Sequence, residues 1–332
     1  MVYQHSYLPE GVLVPTLCFF KDGPKQEVDL EAVGKHAVRL AKAGVVGLAV
    51  HGTTGTTSPT YRRPGVSLIL VTPGEPLLLS REERRQVLKA TRHALDEAGF
   101  QDLPIIAGCG VTSTWETIDL CVEAARFGSS FAMVVAPGYY KSLMTDSIIE
   151  QYFTDVADAS PIPIVLYNFP GIANGIDLEL DLIKRLARHG NIVGVKLSCG
   201  SVSKAARLQA EFSPREFGVY GGLADTMLHN VALNGTLGVI SGLGNIAPAS
   251  LVNVFELFKA GKFEEAKEAQ EAVSVAGELE IKGGVPGMRY GVVRYYGYGG
   301  ISRKPLPEAS DALKEDVVRW LNPLMGQEDL QG

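Results

Sequence analysis

No stretch of this 332-residue chain approaches the roughly 18 consecutive apolar residues of a membrane-spanning helix. Cysteine is sparse: Cys18, Cys109, Cys121 and Cys199 are scattered, form no CxxC pair and read as reduced, packed thiols of an intracellular protein. The histidines, His5, His36, His51, His93, His189 and His229, show no HxH or HxxxH spacing. No metal site is therefore expected, and most of them read as solvent-facing or cap residues, with His51 set apart as structural. Basic residues gather no more densely than Arg62-Arg63 and Arg84-Arg85, and the formal net charge is -6, so no nucleic-acid footprint is present. No GxGxxG follows the first strand-like segment to open a helix, which removes the best sign of a dinucleotide-binding sheet. Residues 1–10 are polar and carry neither an apolar signal core nor an Arg-rich amphipathic stretch. The expected compartment is the cytosol, with the mitochondrion left open.

What is present is alternation. Short β-branched runs, at 12–20, 46–51, 104–109, 131–136, 162–168, 192–197, 217–221 and 237–241, alternate with amphipathic stretches at 30–43, 81–98, 115–127, 145–159, 178–188, 202–212, 226–234 and 248–260. Strict strand-helix alternation predicts a parallel sheet covered by helices. Eight such units close naturally, so the expected fold is α/β, a (β/α)8 TIM barrel over residues 1–260. Punctuation agrees: Ser80 with Glu83 reads as a capping box, Thr114 with Thr117 as a second cap, and Gly44, Gly99, Gly128, Gly190 and Gly235 as left-handed helix ends. Residues 261–332 add helical patterns at 262–279, 287–295 and 310–321, read as a C-terminal helical extension packed on the barrel.

In such a barrel, chemistry belongs at strand C-termini. The second strand runs into His51-Gly52-Thr53-Thr54-Gly55, the fourth into Pro137-Gly138-Tyr139-Tyr140, the fifth ends in Tyr167-Asn168-Phe169-Pro170, and the sixth carries Lys196. A lone strand-end lysine is more often one whose stem packs while its head reaches water. An amine held in an apolar pocket, however, is deprotonated more easily and becomes a nucleophile for a carbonyl. The Gly-Thr-Thr-Gly turn offers backbone N–H groups and hydroxyls to a carboxylate, or is an ordinary polar turn.

Taken together, GTTG, YNFP, the sixth-strand lysine and the late Gly238-Val239-Ile240-Ser241-Gly242 resemble the dihydrodipicolinate synthase / N-acetylneuraminate lyase family of class I aldolases, over nearly the whole chain. The resemblance implies that Lys196 forms a Schiff base with pyruvate or another 2-oxo acid, with no cofactor beyond that covalent imine. It implies that Tyr167 shuttles a proton and that Thr53 and Thr54 hold the carboxylate, with Gly222 and Ile240 also binding substrate. Tyr140 becomes a relay tyrosine that reaches across a dimer interface, so a homodimer or homotetramer is expected.

Three departures from the family pattern stand out. Ile172 stands where dihydrodipicolinate synthases usually carry an arginine for a second carboxylate, and Lys196-Leu197-Ser198 replaces the frequent Lys-Asp-Ser. With the Pro137–Lys141 and Tyr296–Gly300 segments, this points to an aldolase of the 4-hydroxy-2-oxoglutarate or L-threo-3-deoxy-hexulosonate type, giving pyruvate plus glyoxylate or L-glyceraldehyde. A dihydrodipicolinate-synthase-like condensation, an imine-based hydratase or decarboxylase, and an inactive barrel that binds 2-oxo acids are the alternatives. The third departure is residues 56–74, which separate GTTG from Glu75. They read as a lid, a tolerated surface loop, or intron sequence in a faulty gene model. The apolar Val66–Val71 run inclines the reading to the last.

Overall fold

The protein is described from a computed structural model, which covers residues 7–52, 75–326 and 328. Thr53, Thr54 and the expected insertion at 56–74 lie outside the described residues.

Eight parallel strands close on themselves: β1 (Gly11–Pro15), β2 (Gly47–Val50), β3 (Ile105–Gly108), β4 (Phe131–Val135), β5 (Ile164–Asn168), β6 (Ile192–Leu197), β7 (Gly218–Gly221) and β8 (Gly238–Ile240). Both faces of the sheet are covered, so nearly every strand residue is buried and the strands read as apolar runs without alternation. Closure is made by β8 against β1, where Gly11, Val12 and Leu13 pair with Gly238, Val239 and Ile240. At that seam a methyl group on Gly238 would sit 1.9 Å from the Gly11 carbonyl oxygen, so a larger residue does not fit.

The helices α1 (Leu30–Lys42), α2 (Arg81–Glu97), α3 (Thr114–Arg126), α4 (Asp146–Ala159), α5 (Leu180–Leu186), α6 (Val202–Glu211), α7 (Met227–Asn234) and α8 (Pro248–Lys259) follow their strands. The Ser80–Glu83 capping box is formed. The cap of α3 is Ser113 and not Thr114: its hydroxyl accepts from the Glu116 N–H, while Thr117 turns its own hydroxyl to the Ser113 carbonyl. Gly44, Gly99, Gly128 and Gly235 take positive φ as expected. Gly190 does not, because α5 ends earlier, at Leu186, and the turn that follows is held by His189 and Asn191.

The first strand was expected to run to Phe20 but stops at Pro15. Beyond it the Leu17 N–H is taken by the Asn245 side chain, so the sheet ladder cannot continue. Below, the barrel is closed by the segment that enters it: Leu8 packs into the space left by Gly194 and Gly218, and the Tyr220 hydroxyl donates to the Pro9 carbonyl.

After α8 come α9 (Phe263–Ala276), a π-helical turn at Leu279–Gly283, α10 (Gly284–Tyr296) and α11 (Asp311–Leu321). The start of α10 lies earlier than the pattern suggested. Pro286 falls in its first turn, where no intrahelical donor is needed. Among the described residues no helix is long and apolar enough to cross a membrane.

Candidate active site

Lys196 stands next to last on β6, between Tyr167 on β5 and Tyr220 on β7 in the same register row. It is 3% exposed, and its Nζ donates to the Tyr167 hydroxyl at 3.4 Å while lying 4.6 Å from the centre of that ring. No carboxylate is paired with the amine among the described contacts, so the buried group that faces it is a phenol. Tyr220 bends toward Pro9 and belongs to the floor. Phe169 packs beside Tyr167 at 5.8 Å.

Asn168, between Tyr167 and Phe169, turns away from this pair. Its amide donates to Asp177 at 2.7 Å and its carbonyl oxygen accepts from the Leu178 N–H at 3.0 Å, fixing the loop after β5. Lys204 also binds Asp177 and the Leu178 carbonyl. That loop presents Ile172, which is 9% exposed and packed in the core. Gly222 follows β7 and donates its N–H to the Leu197 carbonyl at 3.0 Å, bringing it so close to Ser198 that a Cβ would meet the Ser198 hydroxyl at 2.0 Å. Ile240 is fully buried at the end of β8.

Tyr140 is not brought to Tyr167. It sits after β4 with 56% exposure, edge-on to Tyr139 at 5.0 Å, in a surface region that also exposes Leu143 and Ile148.

His36 departs from the expectation of a solvent-facing histidine, and His51, set apart from the others, is buried as well. His51 takes φ 59, is buried, and its Nε2 donates to the Arg84 carbonyl at 2.9 Å, so it fixes the chain just before residues 53–54. Burial, and then Arg84, push its pKa down to about 3. His36 is buried on α1, between the Tyr298 hydroxyl at 2.8 Å and Asn245 Oδ1 at 2.9 Å. An amide oxygen only accepts, so the ring carries its proton on Nε2 and accepts from Tyr298 on Nδ1. Burial, and then Arg39, hold its pKa well below the ordinary value.

The rim of the barrel holds polar residues that no motif announced. Asn245 accepts from Leu17 N–H and donates to the Pro15 and Gly242 carbonyls, joining the ends of β1 and β8. Its signal in the sequence was slight, a lone amide in the apolar run Gly242–Ala247. Glu280, in the π-helical turn, accepts from Ser241 Oγ at 2.9 Å, Leu243 N–H at 3.2 Å and Ala224 N–H at 2.9 Å. Burial raises its pKa, and those three donors oppose the rise. Arg289 of α10 pairs with Glu75 and donates to the Cys18 and Gly299 carbonyls. Among the described residues, no group of three or more His, Cys, Asp or Glu side chains is arranged to hold a metal.

A lysine and a tyrosine side by side at the C-terminal end of a closed parallel barrel can run imine chemistry, and relatives bear on whether they do. The description "Dihydrodipicolinate synthetase family" matches residues 65–323. The chain belongs to that family. It is 42% identical over 93% of its length, and 94% of the other's, to an Emericella nidulans protein named "Probable 4-hydroxy-2-oxoglutarate aldolase, mitochondrial". It is 38% identical to the L-threo-3-deoxy-hexylosonate aldolase of Aspergillus niger, over 96% of both chains. Its fold superposes on a dihydrodipicolinate synthase family protein of Coccidioides immitis with a TM-score of 0.83 and 30% identity, covering 99% of both chains. It also superposes on the chloride-inhibited dihydrodipicolinate synthase of Acinetobacter baumannii, solved with pyruvate, with a TM-score of 0.81 and 27% identity over 96% of this chain and all of that one. These relatives bear out the expected barrel of the dihydrodipicolinate synthetase family and the expected enzyme class, a carbon–carbon lyase of the class I aldolase type.

Proposed function

We propose that Lys196 is the Schiff-base lysine of an aldolase that cleaves a hydroxylated 2-oxo acid to pyruvate and an aldehyde. The observation that carries this is the buried Lys196 amine, donating to Tyr167 at 3.4 Å on the neighbouring strand. The neutral amine adds to the C2 ketone, and loss of water gives a protonated imine. As the C4 hydroxyl gives up its proton, the C3–C4 bond breaks, its electron pair flows into the imine to form an enamine, and the aldehyde departs. Protonation of the enamine at C3 and hydrolysis release pyruvate and restore the amine. A phenol is a poor base alone, but beside the positive imine it can relay the proton between substrate and solvent. Tyr167 takes that part. No resident cofactor enters.

Thr53 and Thr54 hold the carboxylate in this reading, with Gly222 and Ile240 beside it. Tyr140 joins the relay of a second copy of the chain in a dimer or dimer of dimers, which its exposed place on an aromatic surface supports. The substrate is 4-hydroxy-2-oxoglutarate or 2-keto-3-deoxy-L-galactonate, the relatives' names offering one of each type. Buried, aliphatic Ile172 supplies no cation for a second carboxylate and favours the sugar acid. The protein works in the cytosol in this reading, and cell fractionation tests that against the mitochondrion.

The test is borohydride reduction in the presence of pyruvate followed by peptide mass spectrometry. A pyruvyl adduct on Lys196, absent from Lys196→Ala, is the expected outcome. An intact Lys196 peptide after reduction would sink the mechanism. Product analysis on the two substrates then chooses between glyoxylate and L-glyceraldehyde.

A further inference from the structure

Glu280 belongs to the C-terminal helices, yet it lies buried between the loop after β7 and the loop after β8. Oε2 accepts from Ala224 N–H, two residues past Gly222. Oε1 accepts from Ser241 Oγ and Leu243 N–H, directly after Ile240. No cation pairs with it among the described contacts, and its acidic neighbour Asp225 opposes its charge. A carboxylate is thus kept in a dry place by three neutral donors, two of them backbone N–H groups from the segments that carry Gly222 and Ile240. The turn that presents it is π-helical, a rare geometry concentrated at functional sites. From α9, Gln270 grips the same first loop through the Ala224 carbonyl at 3.0 Å and the Leu228 N–H at 3.0 Å.

We infer that Glu280 is a positioning residue for the 2-oxo acid: its carboxylate sets the spacing of the β7 and β8 loops and so shapes the wall facing Lys196. The inference rests on the Schiff-base reading of Lys196. Replacing the carboxylate with an amide shows why the charge state matters. An amide has one acceptor oxygen, and its NH2 must face either Ala224 N–H or Leu243 N–H. Either way one backbone donor loses its acceptor and one loop is released.

The experiment compares the unaltered protein with Glu280→Gln and with Asn191→Ala. Asn191 bonds the Ala157 and Ser160 carbonyls at the opposite end of the barrel and serves as a control for lost stability. Each is titrated with pyruvate under borohydride, reading the concentration for half-maximal labelling of Lys196, alongside urea unfolding. The expected result is a midpoint raised roughly tenfold in Glu280→Gln, with Asn191→Ala labelled as the unaltered protein is, although both unfold at lower urea. Equal midpoints in Glu280→Gln and the unaltered protein overturn the inference and leave Lys196 untouched. Absence of labelling in the unaltered protein overturns the Schiff-base reading and this inference with it. If Glu280→Gln does not fold, Ser241→Ala removes one of the three donors and is expected to move the midpoint in the same direction by less. An unmoved midpoint there overturns the inference too.

Discussion

At the scale of single residues, Lys196 and Tyr167 divide the proposed chemistry between bond formation and proton movement. Tyr167→Phe keeps the ring packed between Lys196 and Phe169 and removes the hydroxyl alone. Its turnover should fall about 10²- to 10⁴-fold, the usual worth of a positioned acid–base group, while borohydride still fixes pyruvate on Lys196. Loss of labelling together with turnover would instead make Tyr167 part of imine formation. His51 makes a separate prediction, in pH. Free histidine takes a proton near pH 6.5 and the folded His51 near 3. Between those values the unfolded chain binds the proton that the folded chain refuses, so stability present above about pH 6.5 is lost as pH falls, by at most about 1.4 kcal/mol per unit from this group. Asparagine tolerates the φ of 59 and does not titrate. Urea midpoints of His51→Asn should therefore decline less between about pH 7 and about pH 5 than those of the unaltered protein. An identical slope would remove His51 as the cause.

At the scale of elements, the seam between β8 and β1 tolerates least. Gly238 has φ 148 and no room for a methyl beside the Gly11 carbonyl, whereas Gly190 has open space and an ordinary φ. Gly238→Ala should cost at least about 3 kcal/mol, through strain and overpacking together, and lower soluble yield, with Gly190→Ala close to neutral by urea unfolding. Most of the elements were legible beforehand because burial on both sides of a parallel sheet writes itself as apolar runs, and because caps such as Ser80 with Glu83 are local chemistry. What was not legible came from distant side chains. The end of β1 is set by Asn245, 228 residues along from Leu17, and no window of local sequence contains that contact. The candidate site divides the same way. Lys196 stands out as a charge near the end of an apolar run, and the part of Tyr167 is implied by the family resemblance of the YNFP segment. Glu280 could not be read, since its donors arrive from two loops that are brought together by barrel closure.

At the scale of the whole molecule, the C-terminal helices are wired into the barrel rim by buried polar contacts. Arg289 and Glu75 are 2% and 1% exposed as side chains, and their pair joins α10 to the segment leading into α2. Such a pair is weak evidence of net stability, because desolvation offsets its attraction, but breaking it leaves a buried charge alone. Arg289→Met should then cost about 3–5 kcal/mol, and Glu75→Gln combined with Arg289→Met should recover part of that loss. Equilibrium unfolding of the two single variants and the double variant reads this coupling directly. A double variant as weak as the sum of the singles would show that the two residues act independently.

Leu8 and Tyr220, which close the lower end of the barrel, also bear on the order of events in the proposed reaction. With that end filled, the route to Lys196 in the proposed reaction is from the C-terminal ends of the strands. The fragment still bonded to the lysine leaves last. Pyruvate added to the reaction should therefore compete with substrate for empty enzyme, whereas the aldehyde should slow turnover without competing. The covalent bond to Lys196 would then be visible in the rate law, as two different patterns of product inhibition.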